Sequence, residues 1–185
     1  MRYLYIVFLI SSFGLSAEEM IIGKEKILPG IDITFEAAPK DKIFPEGVYL
    51  EENKTDIHIE MLATWSEGNK FNFPAGGFVP YIDVQVTIKN VNGDEKKVAL
   101  SPHINLIDSL HYAKNIKLPG NIEDTYEITF LIKQSESDEL GIHYDWHNEV
   151  GSYIPNFSFL YKDCLLYTSD AADEGLGVDL GGRRI

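Results

Sequence analysis

The sequence predicts an all-β fold, an antiparallel β-sandwich of short strands. Three observations predict it. Apolar and polar residues alternate with a period of two in several separate runs, the pattern of a strand with one face in a core. Asn92-Gly93 stands between two such runs, and that dipeptide is a strong hairpin signal. No long stretch carries the 3.6-residue period of an amphipathic helix. Short strands separated by turn residues fold as an antiparallel sandwich.

Near the start, Ile31, Ile33 and Phe35 mark a strand by alternation. The run from Thr55 to Ala63 marks the next. Side chains in a strand alternate faces, so Ile57, Ile59, Met61 and Ala63 form its apolar face while His58 and Glu60 leave from the other. Ile82, Val84, Val86 and Ile88 alternate with Asp83, Gln85, Thr87 and Lys89. The Asn92-Gly93-Asp94 turn sends the chain back through a return strand at 97–100. A short turn over 104–109 is the most that helical pattern offers. Tyr126, Ile128, Phe130 and Ile132 mark a further strand, and Phe157, Phe159 and Tyr161 the last.

The two ends read differently from this domain. Residues 1–17 hold Arg2, an apolar run from Leu4 to Ile10, then small residues at Ser11, Ser12, Gly14, Ser16 and Ala17. This is the pattern of a secretory signal peptide, too short to span a bilayer, which takes ~20 residues. Cleavage after Ser16 places Gly14 at the −3 position and fits better than cleavage after Ala17. At the other end, Cys164 to Glu174 resembles a translated transposase adapter used in sequencing-library preparation, and Val178 to Ile185 resembles its downstream primer region. Residues 164–185 are therefore read as an adapter artefact, expected to be irregular and unpacked, with the natural protein continuing past Asp163. Residues 18–163 are the domain, long enough for one core and for no more.

The chain carries 29 Asp and Glu against 16 Lys and Arg, net −13, which disfavours nucleic acid and anionic membrane surfaces as partners. It is compatible with attracting cations, or simply with a solvated surface. Its single cysteine, Cys164, leaves the domain without a disulfide, so stability rests on packing. No serine elbow with a His and Asp, no phosphate-cradling glycine loop and no nucleophilic cysteine is present, so the protein is not expected to be an enzyme, although redox cycling of a bound metal is conceivable.

The chemistry lies in four of the five histidines. His58 and Glu60 place an imidazole and a carboxylate side by side off one strand, which is half of a transition-metal site. The same pair also suits an exposed polar face. His103 follows Ser101-Pro102, His111 closes the loop after Leu110, and His143 follows Gly141-Ile142. Each alone suits a surface histidine; together, at loop–strand junctions, they point to a metal. His147, in Asp145-Trp146-His147-Asn148, reads as part of a surface turn. The many aromatics read as core and loop packing, although a groove for a sugar or peptide remains open.

These stretches resemble a known family. Thr55-Asp56-Ile57-His58-Ile59-Glu60, Glu67-Gly68-Asn69-Lys70, Phe73-Pro74-Ala75-Gly76-Gly77-Phe78-Val79-Pro80-Tyr81, His111 to Ile116, Tyr126 to Phe130 and Gly141-Ile142-His143 look like the periplasmic iron-transport family associated with high-affinity ferrous iron uptake. Its relatives include lactoferrin-binding lipoproteins. The likeness runs from about Ile31 to Asp163. It implies an immunoglobulin-like sandwich, a homodimer that binds copper and iron, or a manganese or zinc surrogate, beside an inner-membrane iron permease. By position His58, His111 and His143 match its copper-ligating histidines, and Glu60 a carboxylate of that site. Where the family has Met-Pro-Met this chain has Ser101-Pro102-His103, so His103 stands for a ligating methionine, and the loop to His111 is one residue longer. An imidazole there hardens the site away from Cu(I). The resemblance makes the chain a periplasmic metal-binding protein of iron uptake. Copper or zinc sequestration is the alternative, and a secreted adhesion or host-protein-binding module is a second.

Overall fold

The computed structural model describes residues 19–38, 40–136, 141–150 and 154–166. The signal peptide expected at 1–17 lies outside them. Eight strands follow in chain order: β1 (Met20–Ile27), β2 (Ile31–Ala38), β3 (Ile57–Trp65), β4 (Ile82–Asn90), β5 (Glu95–Ile104), β6 (Leu110–Ile116), β7 (Thr125–Gln134) and β8 (Phe157–Leu165). Helix α1 (Tyr144–Glu149) and a 3-10 turn at Glu52–Lys54 are the only helical elements among the described residues. None is long and apolar enough to cross a membrane.

The strands hydrogen-bond in the order β1-β2-β3-β6-β5-β4-β7-β8, every pair antiparallel. The all-β antiparallel expectation therefore holds. Strand β5 is the seam. Its first part, Glu95 to Leu100, pairs with β4, and its second, Ser101 to Ile104, pairs with β6. Folding there lays β2 and β3 over β4 and β7, so that Phe35 stacks on Phe130 with ring centroids 4.0 Å apart. The two edge strands also meet, and the sheet nearly closes. Gly23 in β1 lies under the Tyr161 ring of β8, which occupies the place of any Cβ there, and Tyr161 Oη donates to Glu25 Oε1 at 2.8 Å.

Alternation explains the core. Ile82, Val84, Val86 and Ile88 of β4 and Tyr126, Ile128, Phe130 and Ile132 of β7 are all buried, with Val84, Val86 and Ile88 directly opposite Ile132, Phe130 and Ile128. Each such side chain taken from water contributes about 1.5–3 kcal/mol. The hairpin between β4 and β5 is closed by Asn90. Its Oδ1 accepts from the backbone N–H groups of Asn92 (3.0 Å) and Asp94 (2.9 Å), while Gly93 takes a φ of 93° that a side chain would resist.

Three expectations need correction. The return strand is longer than 97–100, because β5 continues past the seam to reach β6. Helix forms at Tyr144–Glu149 rather than around 104–109, where Asn105 Oδ1 instead caps the N–H groups of Ile107 (2.9 Å) and Asp108 (2.6 Å) in a tight bend. The irregular, unpacked segment does not begin at residue 164. Cys164 and Leu165 extend β8 opposite Tyr126 and Thr125, and Leu166 is buried against the core, so the ladder of β7 carries these residues with it. Residues 167–185 lie outside the described residues.

Candidate metal centre

The inner face of β3 is apolar, as its pattern predicts, and the outer face carries His58 and Glu60. That outer face is not solvated. His58 is 4 % exposed and Glu60 3 %, so the exposed-pair reading of these residues is excluded. Strands β6 and β5 complete the face. His111 lies directly opposite His103 in the β5–β6 ladder, and on β3 and β6 Glu60 stands opposite Ala113 and His58 opposite Asn115. Ala113 is small, which leaves room for imidazoles to converge above it.

His58, His103 and His111 meet there, all buried, with one candidate ligand atom each lying within 4.8 Å of the others. The rings of His58 and His103 are parallel at 5.4 Å, and His111 stands edge-on to both at 6.4 and 6.1 Å. Glu60 Oε1 is 3.4 Å from His58 Nε2.

Hydrogen bonds fix the tautomers. Asn115 Nδ2 donates to the Asp41 carbonyl (2.7 Å) and the Leu50 carbonyl (3.0 Å), so its Oδ1 is the acceptor turned to His58 Nδ1 at 2.7 Å. His58 therefore keeps its proton on Nδ1 and presents a bare Nε2. His111 Nδ1 lies 3.2 Å from the Ser109 carbonyl, which only accepts, and its Nε2 is likewise free for a cation. In His103, Nε2 is 3.5 Å from Ser101 Oγ and Nδ1 is buried with no partner. Glu60 Oε2 is also buried without a partner. Orphaned buried atoms are costly, and both of these belong to the cluster; a bound cation satisfies them. Three imidazoles and a carboxylate fit a divalent transition metal.

Protonation agrees with that fit. Burial lowers His58, against the Asn115 hydrogen bond, and lowers His103 to about 4, with His58 and His111 adding to the effect. Both shifts hold His58 and His103 neutral, the form that ligates. Burial raises Glu60 to about 8, helped by Glu19, Asp108, Glu36 and Asp41. Glu36, directly across the β2–β3 ladder from Glu60, is raised to about 7, again chiefly by burial and then by Glu19. A cation beside these carboxyl groups favours their charged form against the burial that raises them. Glu60 borders a cavity of about 510 Å³ that Glu19, Asp41 and Asp108 also line.

The chain alone does not bring His143 to the cluster. His143 is exposed and precedes α1, whose Trp146 stacks on Phe73 at 5.1 Å and meets Trp65 at 6.3 Å, on the core side at the far end of β3. It borders a separate apolar cavity of about 420 Å³ with Tyr81 and Trp146. His147 is exposed on α1 rather than on a turn. Sequence reading missed Asn115 and Glu36. Asn115 had a signal: His111, Ala113 and Asn115 recur at i, i+2, i+4 and so share the face of the ligands.

Residues 16–167 match the family described as Fe2+ transport protein. The chain belongs to that family. A UPF0423 protein of Brucella abortus is 26% identical to this family member over 155 residues, 82% of this chain and 84% of that one. The copper-reconstituted P19 protein from Campylobacter jejuni is 29% identical, with a TM-score of 0.65 over 82% of this chain and 96% of its own. A copper-bound variant of P19 is 30% identical, with a TM-score of 0.66 over 79% and 96%. A copper-bound variant of FetP from uropathogenic Escherichia coli strain F11 shares the fold at 22% identity, TM-score 0.64, over 82% and 97%. The family expected from the sequence is the family found.

Proposed function

We propose that this protein binds copper and ferrous iron in the periplasm and assists high-affinity iron uptake beside an inner-membrane permease, without itself catalysing a reaction. The observation that carries the reading is the buried cluster of His58, His103 and His111, whose ring nitrogens converge within 4.8 Å of one another. Copper held by P19 structures of the same family supports copper as one ligand. The raised carboxyl groups of Glu60 and Glu36 supply the hard oxygen donors that iron, or manganese in its place, favours.

The working unit in this reading is a homodimer, each half an immunoglobulin-like sandwich hinged at β5. Two features favour it. His143, matched by family resemblance to a copper ligand, faces away from the cluster of its own chain and is available to that of a second copy. Ile104, Leu106 and Ile107 also stand exposed at the rim of the cluster's cavity, an apolar patch suited to another protein surface.

The reading is tested in a strain that lacks this chain. Wild-type protein is expected to restore radioactive iron uptake under iron limitation, and His111→Ala is not. Equal uptake with either would remove the iron role and leave copper or zinc sequestration, the second reading, which the three imidazoles favour. His103 can be tested separately. Since thioether suits Cu(I) and imidazole Cu(II), His103→Met is expected to raise the Cu(II)/Cu(I) potential of the bound copper. An unchanged potential by protein voltammetry would show that His103 does not ligate.

A further inference from the structure

We propose that Asn115 is a positioning residue that couples the histidine cluster to the strap of residues 40–50, so that metal on His58 orders the strap over the site. The proposal rests on the metal-binding reading above. Its basis is one buried amide with every one of these bonds committed. Oδ1 accepts a hydrogen bond from His58 Nδ1–H at 2.7 Å, and Nδ2 donates to the carbonyls of Asp41 at 2.7 Å and Leu50 at 3.0 Å. Those carbonyls lie at the two ends of the strap, so one side chain clamps both. Between them Ile43 lines the cavity, and Tyr49 sets its ring edge-on to His103, centroids 4.9 Å apart at 83°. Asn115 itself is fixed by the ladder, directly opposite His58.

The coupling is physical. A cation on His58 Nε2 draws electron density from the ring and makes Nδ1–H a stronger donor. The strengthened bond polarises the Asn115 amide, and its two hydrogens become better donors to the strap carbonyls. Linkage is reciprocal, so an ordered strap strengthens metal binding by the same factor that metal orders the strap.

Hydrogen exchange of peptides covering residues 40–51, with and without saturating Cu(II), tests this in wild type, Asn115→Ala and Asn115→Asp. In wild type, copper is expected to slow exchange of the strap about tenfold, within the usual range of coupling between sites. Asn115→Asp keeps an acceptor for His58 but has no hydrogen for the strap. It is expected to bind copper more tightly than Asn115→Ala and to lose the slowing. Asn115→Ala loses both contacts, with copper affinity down about 10–100-fold, as for other outer partners of a ligating histidine. Its Cu(II) paramagnetic resonance spectrum should differ from that of Asn115→Asp, a signature that mere loss of packing does not produce. Slowing that survives in either variant would overturn the proposal. A wild type that binds copper with no slowing overturns it and leaves the metal site standing; a wild type that binds no copper removes the site and the proposal together.

Discussion

Replacing His58 or His111 by alanine is expected to lower Cu(II) affinity by at least about a hundredfold, since loss of a partner behind a ligand already costs about 10–100-fold. Both residues present Nε2 to the same space, and each has its Nδ1 held by a fixed acceptor, Asn115 Oδ1 for one and the Ser109 carbonyl for the other. The fold does not depend on them. They leave the outer face of the sheet, whereas the core is built by the apolar residues of the inner face. Alanine at either position should therefore leave a folded chain by circular dichroism. His147→Ala is the control, because that exposed side chain on α1 stands apart from the cluster. Competition titration against a chelator of known affinity gives the comparison. If His58→Ala and His111→Ala bind as wild type does, the cluster is a set of satisfied core histidines and the metal assignment fails.

The second large effect concerns pH. Glu60→Gln is expected to stabilise the metal-free protein at pH 8 by on the order of 3 kcal/mol, and to do much less at pH 5. Burial holds the Glu60 carboxyl up at about 8 against an ordinary 4.5. A group raised in the folded state adds stability that is complete below 4.5 and is lost as pH climbs through 8. Glu36, raised to about 7, acts in the same direction, and the two share the penalty across the ladder. His103 acts in the opposite sense. Lowered to about 4, it adds stability above 6.5 that is lost as pH falls through 4. The carboxyl contribution therefore fades between about 4.5 and 8, and glutamine removes the ionisation that causes the loss. Urea unfolding in the presence of a chelator, at both pH values, measures it. A variant-to-wild-type difference that is the same at pH 5 and pH 8 would show that Glu60 ionises freely.

Much of this was legible in the residues because period-two alternation is a direct consequence of a strand with one wet face. That rule found β2, β3, β4, β7 and β8 and the start of β5. It could not find β6. There the face away from the core carries His111, Ala113 and Asn115, buried by the strap and the 104–110 loop, so polarity no longer reports which side is outside. Strand β1 was hidden for another reason: its Ile21–Gly23 irregularity breaks the alternation, and its pairing with β2 is set by tertiary contact. The site was legible as residue types. That His58, His103 and His111 converge while His143 does not was invisible, because convergence depends on the β3–β6–β5 order, which no local pattern encodes.

The loop between His103 and His111 has a consequence of its own. The two histidines face each other because the β5–β6 ladder pairs them, and the tip beyond Ile104 and Leu110 lies outside that pairing, with Ser109 turning to a φ of 62°. Coordination geometry and tip length are thus inherited separately. A lineage can lengthen, shorten or recolour the exposed apolar tip at Leu106 and Ile107 without disturbing the pairing of the two histidines. Under the proposed reading, variation in this hairpin is expected to alter the exposed apolar tip and leave the histidine pairing alone.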